Sequence, residues 1–189
     1  MKIRFILLFS LFVFNFSWSQ TGLKLSDAAI ELTKQNVIYD PTYFSISYPN
    51  GDVPNDRGVC TDVIIRAYRR IGIDLQKEVH EDMRSNFSLY PNYWGLTKTD
   101  KNIDHRRVPN LKTYFKRQGT GLQITNDPKD YLPGDIVTWN LSGGMKHIGI
   151  VTDLKSNDEK TPLIVHNIGK GQVIEDCLFS FEITGHYRY

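Results

Sequence analysis

The sequence predicts an α+β fold in which N-terminal helices pack on an antiparallel β-sheet. Helical periodicity dominates the first half, most clearly after Cys60, where Ile64, Ala67 and Ile71 recur on one helix face. Short β-rich runs separated by turn residues follow residue 132. Helices first and strands later are typical of an α+β protein and not of alternating βα units.

The helices have recognisable start and stop signals. Ser26 is a candidate N-cap of the first helix, and Pro41 prevents that helix from continuing further along the chain. Gly72 and Gly119 each follow an amphipathic run and are typical helix ends. Helices are therefore predicted over residues 26–37, from Cys60 to Gly72, over 75–87 and over 111–117.

The strands follow from alternation and from the turn residues between them. A loop dense in turn residues, 49–58, leads to Cys60, and residues 88–110 are predicted to be irregular. Strands are predicted over residues 43–48, 136–139, 146–154, 162–167, 173–174 and 181–187.

Two histidines come together in the predicted hairpin of 146–154 and 162–167. If its turn centres on residues 156–157, His147 stands opposite His166, and directly opposed side chains are close enough for the two imidazoles to touch. Asn167 then points to the other face, because side chains alternate along a strand. A slip of one residue would exchange His166 and Asn167.

The first 19 residues are predicted to be a secretory signal peptide. Lys2 and Arg4 precede an apolar run over 5–16, and small residues flank a cleavage point after Ser19. The run is short for a membrane span, although a retained anchor is the alternative. We therefore expect export to the periplasm or the extracellular space, membrane contact only through the signal peptide, and a single domain over 20–189.

Charge and composition limit the partners. Without Lys2 and Arg4, 21 basic residues balance 21 acidic residues. A nucleic-acid-binding domain would show a basic excess, so no nucleic acid is expected. No pattern specifies an oligomeric state, a cofactor or a metal.

The chemistry is expected at Cys60. A cysteine that opens a helix meets unpaired amides and a partial positive charge, which favour the thiolate and can stabilise an oxyanion. His147 is the predicted base and His166 the residue that orients it. The alternatives are a Cys60–Cys177 disulfide, and a zinc ion bound by the cysteine and the two histidines.

Four short motifs resemble the NlpC-type cell-wall cysteine peptidases of the papain-like superfamily. They are Cys60 at a helix start, 134–137 (Gly-Asp-Ile-Val), 147–151 (His-Ile-Gly-Ile-Val) and 164–166 (Ile-Val-His). The chain departs from that family in having Val-Cys-Thr-Asp at 59–62, and in its 90–110 insertion. The resemblance implies a papain-like fold with a Cys–His site.

A closer resemblance, to the bacterial family called domain of unknown function 1287, covers nearly all of the chain after residue 19. The matching stretches are 58–62, 103–111, 165–169 and 184–188. This resemblance supports the same fold and implies no substrate.

The resemblance to cell-wall peptidases points to peptidoglycan or a peptide as the substrate. Arg106 and Arg107 could bind carboxylates of a stem peptide through bidentate hydrogen bonds. His105, Asp62 and Asn167 are further candidates for substrate contact, although Asp62 could instead cap its helix or form a local ion pair.

We therefore expect an exported cysteine hydrolase that cleaves an amide bond in peptidoglycan stem peptides. Two alternatives remain open from the residues alone. One is a non-catalytic cell-wall binding module on a peptidase scaffold, and the other is a different acyl transfer, transpeptidation or deamidation.

Overall fold

The computed structural model describes residues 20–189, so the predicted signal peptide lies outside the described residues. Four α-helices are described, and they are α1 (20–32), α2 (Cys60–Arg70), α3 (Leu75–Ser85) and α4 (Val108–Gln118). No helix in this range is long and apolar enough to cross a membrane.

The strands form two sheets. A short parallel pair joins β1 (Ile38–Tyr39) to β2 (Arg57–Gly58). The main antiparallel sheet has the order β3-β8-β4-β5-β6-β7. Its strands are β3 (Thr120–Gly121), β4 (Ile136–Asn140), β5 (Lys146–Lys155), β6 (Pro162–His166), β7 (Val173–Glu175) and β8 (Glu182–Arg188). The mixed α+β class with an antiparallel sheet is confirmed.

The N-terminal region differs from the prediction. Helix α1 includes residues 20–25 and ends at 32, so Ser26 is inside the helix and is not its N-cap. Its buried hydroxyl instead donates to the Asp153 carboxylate at 2.9 Å and accepts from the Asp153 amide at 3.0 Å. The predicted strand over 43–48 is wrong, because this segment is irregular and is tied by single hydrogen bonds to residues such as Asn102.

Helix α2 has the predicted buried stripe but different polar partners. Ile64 and Ala67 are fully buried in the core beneath Cys60. The local ion pair considered for Asp62 is not formed with Arg66, four residues along the helix, because Asp62 binds Arg106 at 2.9 Å and Arg66 binds Asp52 at 3.1 Å. Both arginine contacts tie α2 to segments distant in sequence, which a local helix pattern does not indicate.

The hairpin of β5 and β6 is shifted by two residues from the predicted register. Ile150 pairs with Val165, whereas the predicted pairing of His147 with His166 would set Ile148 opposite Val165. The turn lies further along the chain, around Glu159, which adopts a positive φ of 58°. A shift of two residues keeps every side chain on its predicted face, because side chains alternate with a period of two.

The main sheet carries an apolar cluster on each face. The helix-side cluster contains Cys60 and side chains from α2, α3 and α4, packed on Ile136, Ile148, Ile150 and Val165. The other cluster contains Val137, Trp139, Val151, Ile164, Cys177 and Leu178. By alternation His147 and His166 lie on the same face as this second cluster.

Candidate functional site

Cys60 is the first residue of α2 and is only 6% exposed. The loop before it is held in place at two points. The Val59 amide donates to the Asp62 carboxylate at 2.7 Å, and the Asn167 side-chain amide donates to the Gly58 carbonyl at 3.2 Å. These contacts fix the thiol at the helix start, against the first residues of β5.

The thiol of Cys60 is surrounded by backbone donors. Burial is the largest effect on the thiol and raises its pKa to about 12, whereas the nearby backbone amides of Ile148, Thr61 and Cys60 act to lower the pKa. The raised pKa is opposite to the direction expected from the helix start. The resting cysteine is therefore a neutral thiol.

The two predicted histidines form a direct pair. His147 Nε2 and His166 Nδ1 are 2.8 Å apart, with the rings at 74° to each other. Burial, together with a smaller effect of the neighbouring His166, lowers the pKa of His147 to about 3. Burial also lowers the pKa of His166, although Glu175 opposes that shift. Both rings are therefore neutral near pH 7.

The Cys60 thiol and the histidine pair both adjoin the start of β5, the thiol within the helix-side cluster and the histidines on the other face of the sheet. The Ile148 amide that reaches the Cys60 sulfur belongs to the residue directly after His147. Within residues 20–189 no hydrogen bond joins the thiol to the imidazole. Because His147 Nε2 is bonded to His166, Nδ1 is the nitrogen left to accept a proton.

Cys60 lines an open cavity of about 340 Å³. The side chains around the cavity are mainly aromatic, apolar and cationic. They are Tyr39, Pro41, Val59, Thr61, Tyr93, Trp94, Ile103, Arg106, Arg107, Val108, Pro109 and Lys146. A cavity of this composition suits a ligand that has apolar or sugar surfaces together with negative charge.

The two candidate substrate-binding arginines, Arg106 and Arg107, differ in how tightly other side chains hold them. Arg106 and Asp62 form a bidentate ion pair, at 2.9 and 3.0 Å, with both side chains buried. Arg107 is half-buried, stacks over the Trp94 ring at 3.9 Å and approaches Asp104 only to 3.6 Å. Arg107 is thus freer than Arg106 to meet a ligand in the cavity.

Three of the predicted contacts with substrate are not supported by these positions. His105 is 2% exposed and does not line the cavity, and burial lowers its pKa to about 3. Asn167 is fully buried and holds Gly58, while Asp62 caps α2 and binds Arg106. Asn167 and Asp62 hold the loop before Cys60, and His105 is buried away from the cavity, so the positions of these three residues give no support to direct contact with substrate.

The cysteines and histidines are not arranged as the disulfide and zinc alternatives require. Cys60 and Cys177 are both free, so the alternative disulfide is not formed. Among the residues described, no group of three or more His, Cys, Asp or Glu side chains is arranged to hold a metal ion. His147 and His166 bond to each other, so their facing nitrogens do not converge on a common point.

Sequence reasoning missed three neighbours of the histidine pair. Glu175 Oε2 lies 3.1 Å from His166 Nε2, and Cys177 Sγ lies 3.6 Å from the same nitrogen. The Trp139 ring packs on His147 with centroids 5.9 Å apart. If the predicted strand over 173–174 is extended by one residue and paired with β6, Glu175 lies on the same face of the sheet as His166.

The fold and this site define an α+β protein with a buried cysteine at a helix start and a pair of bonded histidines on the adjoining sheet. The chain belongs to the family described as Domain of unknown function (DUF1287), which matches residues 26–189. It is 50% identical over 171 residues to the uncharacterized protein YijF of Escherichia coli (strain K12), covering 90% of this chain and 83% of that protein.

Two solved structures match this chain over most of its length, one of them with a similar fold. A crystal structure of an N-acetylmuramoyl-L-alanine amidase from Bacteroides uniformis ATCC 8492 has a TM-score of 0.51 and 15% identity, covering 89% of this chain and 98% of that one. A second crystal structure of an amidase of that name and organism has a TM-score of 0.48 and 14% identity, with the same coverage.

Proposed function

We propose that this protein is an exported cysteine hydrolase of papain-like, NlpC-type fold that cleaves an amide bond in peptidoglycan. The observation that carries the proposal is the position of Cys60. Its sulfur lies near the backbone amides of Cys60, Thr61 and Ile148, and Ile148 directly follows the strand residue His147, whose ring is held by His166. A thiol, an imidazole and an orienting partner are the components of nucleophilic amide hydrolysis.

The proposed reaction begins with proton transfer from the Cys60 sulfur to His147 Nδ1. The resting thiol is neutral, and catalytic hydrogen bonds in unliganded proteins often shorten only when substrate binds. The thiolate attacks the amide carbon and forms a C–S bond, and the carbonyl oxygen becomes an oxyanion. The amides of Cys60 and Thr61 at the start of α2 are the candidate donors to that oxyanion.

The second half of the proposed reaction returns the proton. His147 donates it to the leaving amine as the C–N bond breaks, which leaves an acyl group on Cys60. A water molecule then attacks the acyl carbon and gives a proton to His147, and the C–S bond breaks. The carboxylic acid leaves, and the sulfur recovers its proton from the imidazole.

The choice of substrate rests on the cavity and on the location proposed for the protein. Arg107 and Lys146 offer positive charge, while Tyr93 and Trp94 offer exposed aromatic surface beside the thiol. Stem peptides carry free carboxylates, and sugars stack on aromatic rings. The solved structure of similar fold is called an N-acetylmuramoyl-L-alanine amidase, which makes muramoyl peptides the first substrates to test.

The location and domain limits belong to the same proposal. Residues 1–19 would be removed as a signal peptide, and residues 20–189 would act as one domain in the periplasm or outside the cell. The family match over 26–189 is compatible with a single functional unit that starts after this segment.

The test is incubation of the protein with defined muropeptides, followed by mass spectrometry of the products. The wild type should release peptide or amine products with the addition of one water, and Cys60→Ala should lower the rate by about a thousandfold or more. A muropeptide with its carboxylates amidated should be cleaved less efficiently, since Arg107 would lose its partner.

The same experiment separates the alternatives. Unchanged turnover by Cys60→Ala would exclude the cysteine mechanism, provided that circular dichroism shows an intact fold. Binding without turnover by the wild type would favour the cell-wall binding module. Products in which an amine replaces the added water would identify transpeptidation, and loss of ammonia would identify deamidation.

A further inference from the structure

Three ionisable side chains form a continuous hydrogen-bonded chain behind the proposed base. His147 Nε2 meets His166 Nδ1 at 2.8 Å, and His166 Nε2 meets the Glu175 carboxylate at 3.1 Å. Both histidines are at least 97% buried, whereas the Glu175 side chain is 35% exposed. The chain therefore runs from the buried site towards solvent across β5, β6 and β7.

The carboxylate determines where the protons lie in the two neutral rings. A carboxylate only accepts hydrogen bonds, so the proton of His166 lies on Nε2. His166 Nδ1 then carries a lone pair and accepts, and His147 must donate from Nε2. In this arrangement His147 Nδ1 is left with a lone pair, which is the state that a base for Cys60 requires.

The other groups that face His166 do not reverse this order. Cys177 Sγ is farther from Nε2, at 3.6 Å, and burial raises the pKa of its thiol to about 12, so it stays neutral. Lys170 faces Glu175 Oε1 at 3.7 Å and is largely exposed. The contact with Glu175 is both the shorter one and the charge-assisted one, so it determines the tautomer.

We propose that Glu175 is a positioning residue that acts through His166 to hold His147 in the tautomer able to accept the Cys60 proton. This role rests on the proposed function of Cys60 and His147. When His147 takes the proton it becomes an imidazolium, and the negative charge of Glu175 stabilises it through the intervening ring. Glu175 thus belongs to the site although it does not touch the reacting atoms.

The first measurement is spectroscopic and needs no substrate. In ¹⁵N-labelled protein at neutral pH, both histidines should show a protonated Nε2 and an unprotonated Nδ1, with signals assigned through His147→Gln and His166→Gln variants. Glu175→Gln keeps the shape of the side chain but can both donate and accept, so a second tautomer should appear in both rings. Asp176→Asn is the matched control, because it removes an exposed carboxylate one residue away and should leave both tautomers unchanged.

The second measurement is the pH profile of muropeptide hydrolysis. Glu175→Gln should lower kcat by at least about tenfold with little change in KM, since the lost charge stabilises the imidazolium and not the bound substrate. The acidic limb of kcat/KM should also move to lower pH, because loss of a negative charge makes the imidazolium less stable. A purely structural role would lower the amount of folded protein and would leave the limb in place.

The outcomes separate this inference from the proposed function. An unprotonated His166 Nε2 in the wild type, or unchanged tautomers in Glu175→Gln, would overturn the role of Glu175 even if hydrolysis depends on Cys60. Hydrolysis that persists in Cys60→Ala would overturn the proposed function while the spectra still report on Glu175.

Discussion

Burial and the helix start act in opposite directions on Cys60. Three backbone amides favour a negative sulfur, yet removal from water raises the thiol pKa to about 12 and lowers the His147 pKa to about 3. The proton therefore stays on sulfur in the unliganded protein. In the proposed reaction, substrate must change the surroundings of both groups before the proton moves, which would limit side reactions of a resting thiol.

The buried ion pair between Asp62 and Arg106 gives a direct prediction for stability. Both side chains are at most 3% exposed, and Asp62 also accepts the Val59 amide. Replacing Asp62 by Asn should lower the free energy of unfolding by about 3 kcal/mol, because it leaves Arg106 as a buried charge without its counter-ion. Urea denaturation followed by circular dichroism measures this.

A suitable control is Asp56→Asn. Asp56 has a side chain 66% exposed and only a 3.9 Å contact with Arg57, so its replacement should change stability by less than about 0.5 kcal/mol. Equal effects of the two substitutions would show that the buried pair does not hold α2 to the segment before α4.

The hairpin of β5 and β6 depends on a glycine beside the histidine pair. A Cβ at Gly149 would lie 2.7 Å from Ile164 Cγ2, 3.1 Å from the Val165 carbonyl and 3.3 Å from His166 Cβ. Side chains at this point would force the two strands apart or turn the His166 ring. The absence of a side chain therefore lets β6 bring its imidazole close to that of β5.

Gly149→Ala should accordingly lower the free energy of unfolding by about 1 to 3 kcal/mol through overpacking. Gly121→Ala is the matched control on strand β3, where an added Cβ meets no atom within 4 Å. Thermal or urea unfolding of the two variants gives the comparison. A Gly149→Ala protein as stable as Gly121→Ala would contradict the close packing.

The helices and strands were predictable where the pattern is local. The apolar stripe of Cys60, Ile64 and Ala67 predicts α2. Alternation of apolar and polar residues predicts β4, β5 and β6 with ends within one residue of those in the structure. The register of the hairpin was missed by two residues because the turn is made by Glu159 in a left-handed conformation, which its residue type does not favour. The two histidines still met, because an even shift preserves the face.

The partners of the site were not predictable, since they come from distant parts of the chain. Arg106 finds Asp62 across 44 positions and Asn167 finds Gly58 across 109. Glu175 was missed because β7 extends one residue beyond its apolar pair. Single-sequence patterns report periodicity and turns, whereas these contacts depend on how α2, α4 and the sheet are assembled.

The protein as a whole should lose stability in acid through its buried histidines. Burial lowers the pKa of both His105 and His147 from 6.5 to about 3. Below pH 6.5 the unfolded chain binds protons that the folded chain does not, so the free energy of unfolding falls as the pH decreases towards 3. Each histidine contributes up to about 1.4 kcal/mol per pH unit in this window.

Asp104 opposes part of this loss. Its pKa is raised by burial to about 6 from 3.8, so between these values the folded state binds a proton more readily than the unfolded state. Urea midpoints at several pH values between 7.5 and 4.5 should still fall with decreasing pH, and less steeply in His105→Leu. Identical slopes in the two proteins would exclude His105 as a source of the acid sensitivity.

The position of β8 has a consequence for synthesis of the chain. It lies between β3 and β4 in the sheet, although it follows all the other described strands in sequence. Until residues 182–188 have left the ribosome, β4 has an unpaired edge, and β3 has no neighbour in the sheet. Exposed edges of this kind invite pairing between molecules, so we expect the nascent chain to be most prone to aggregation before β8 takes its place in the sheet.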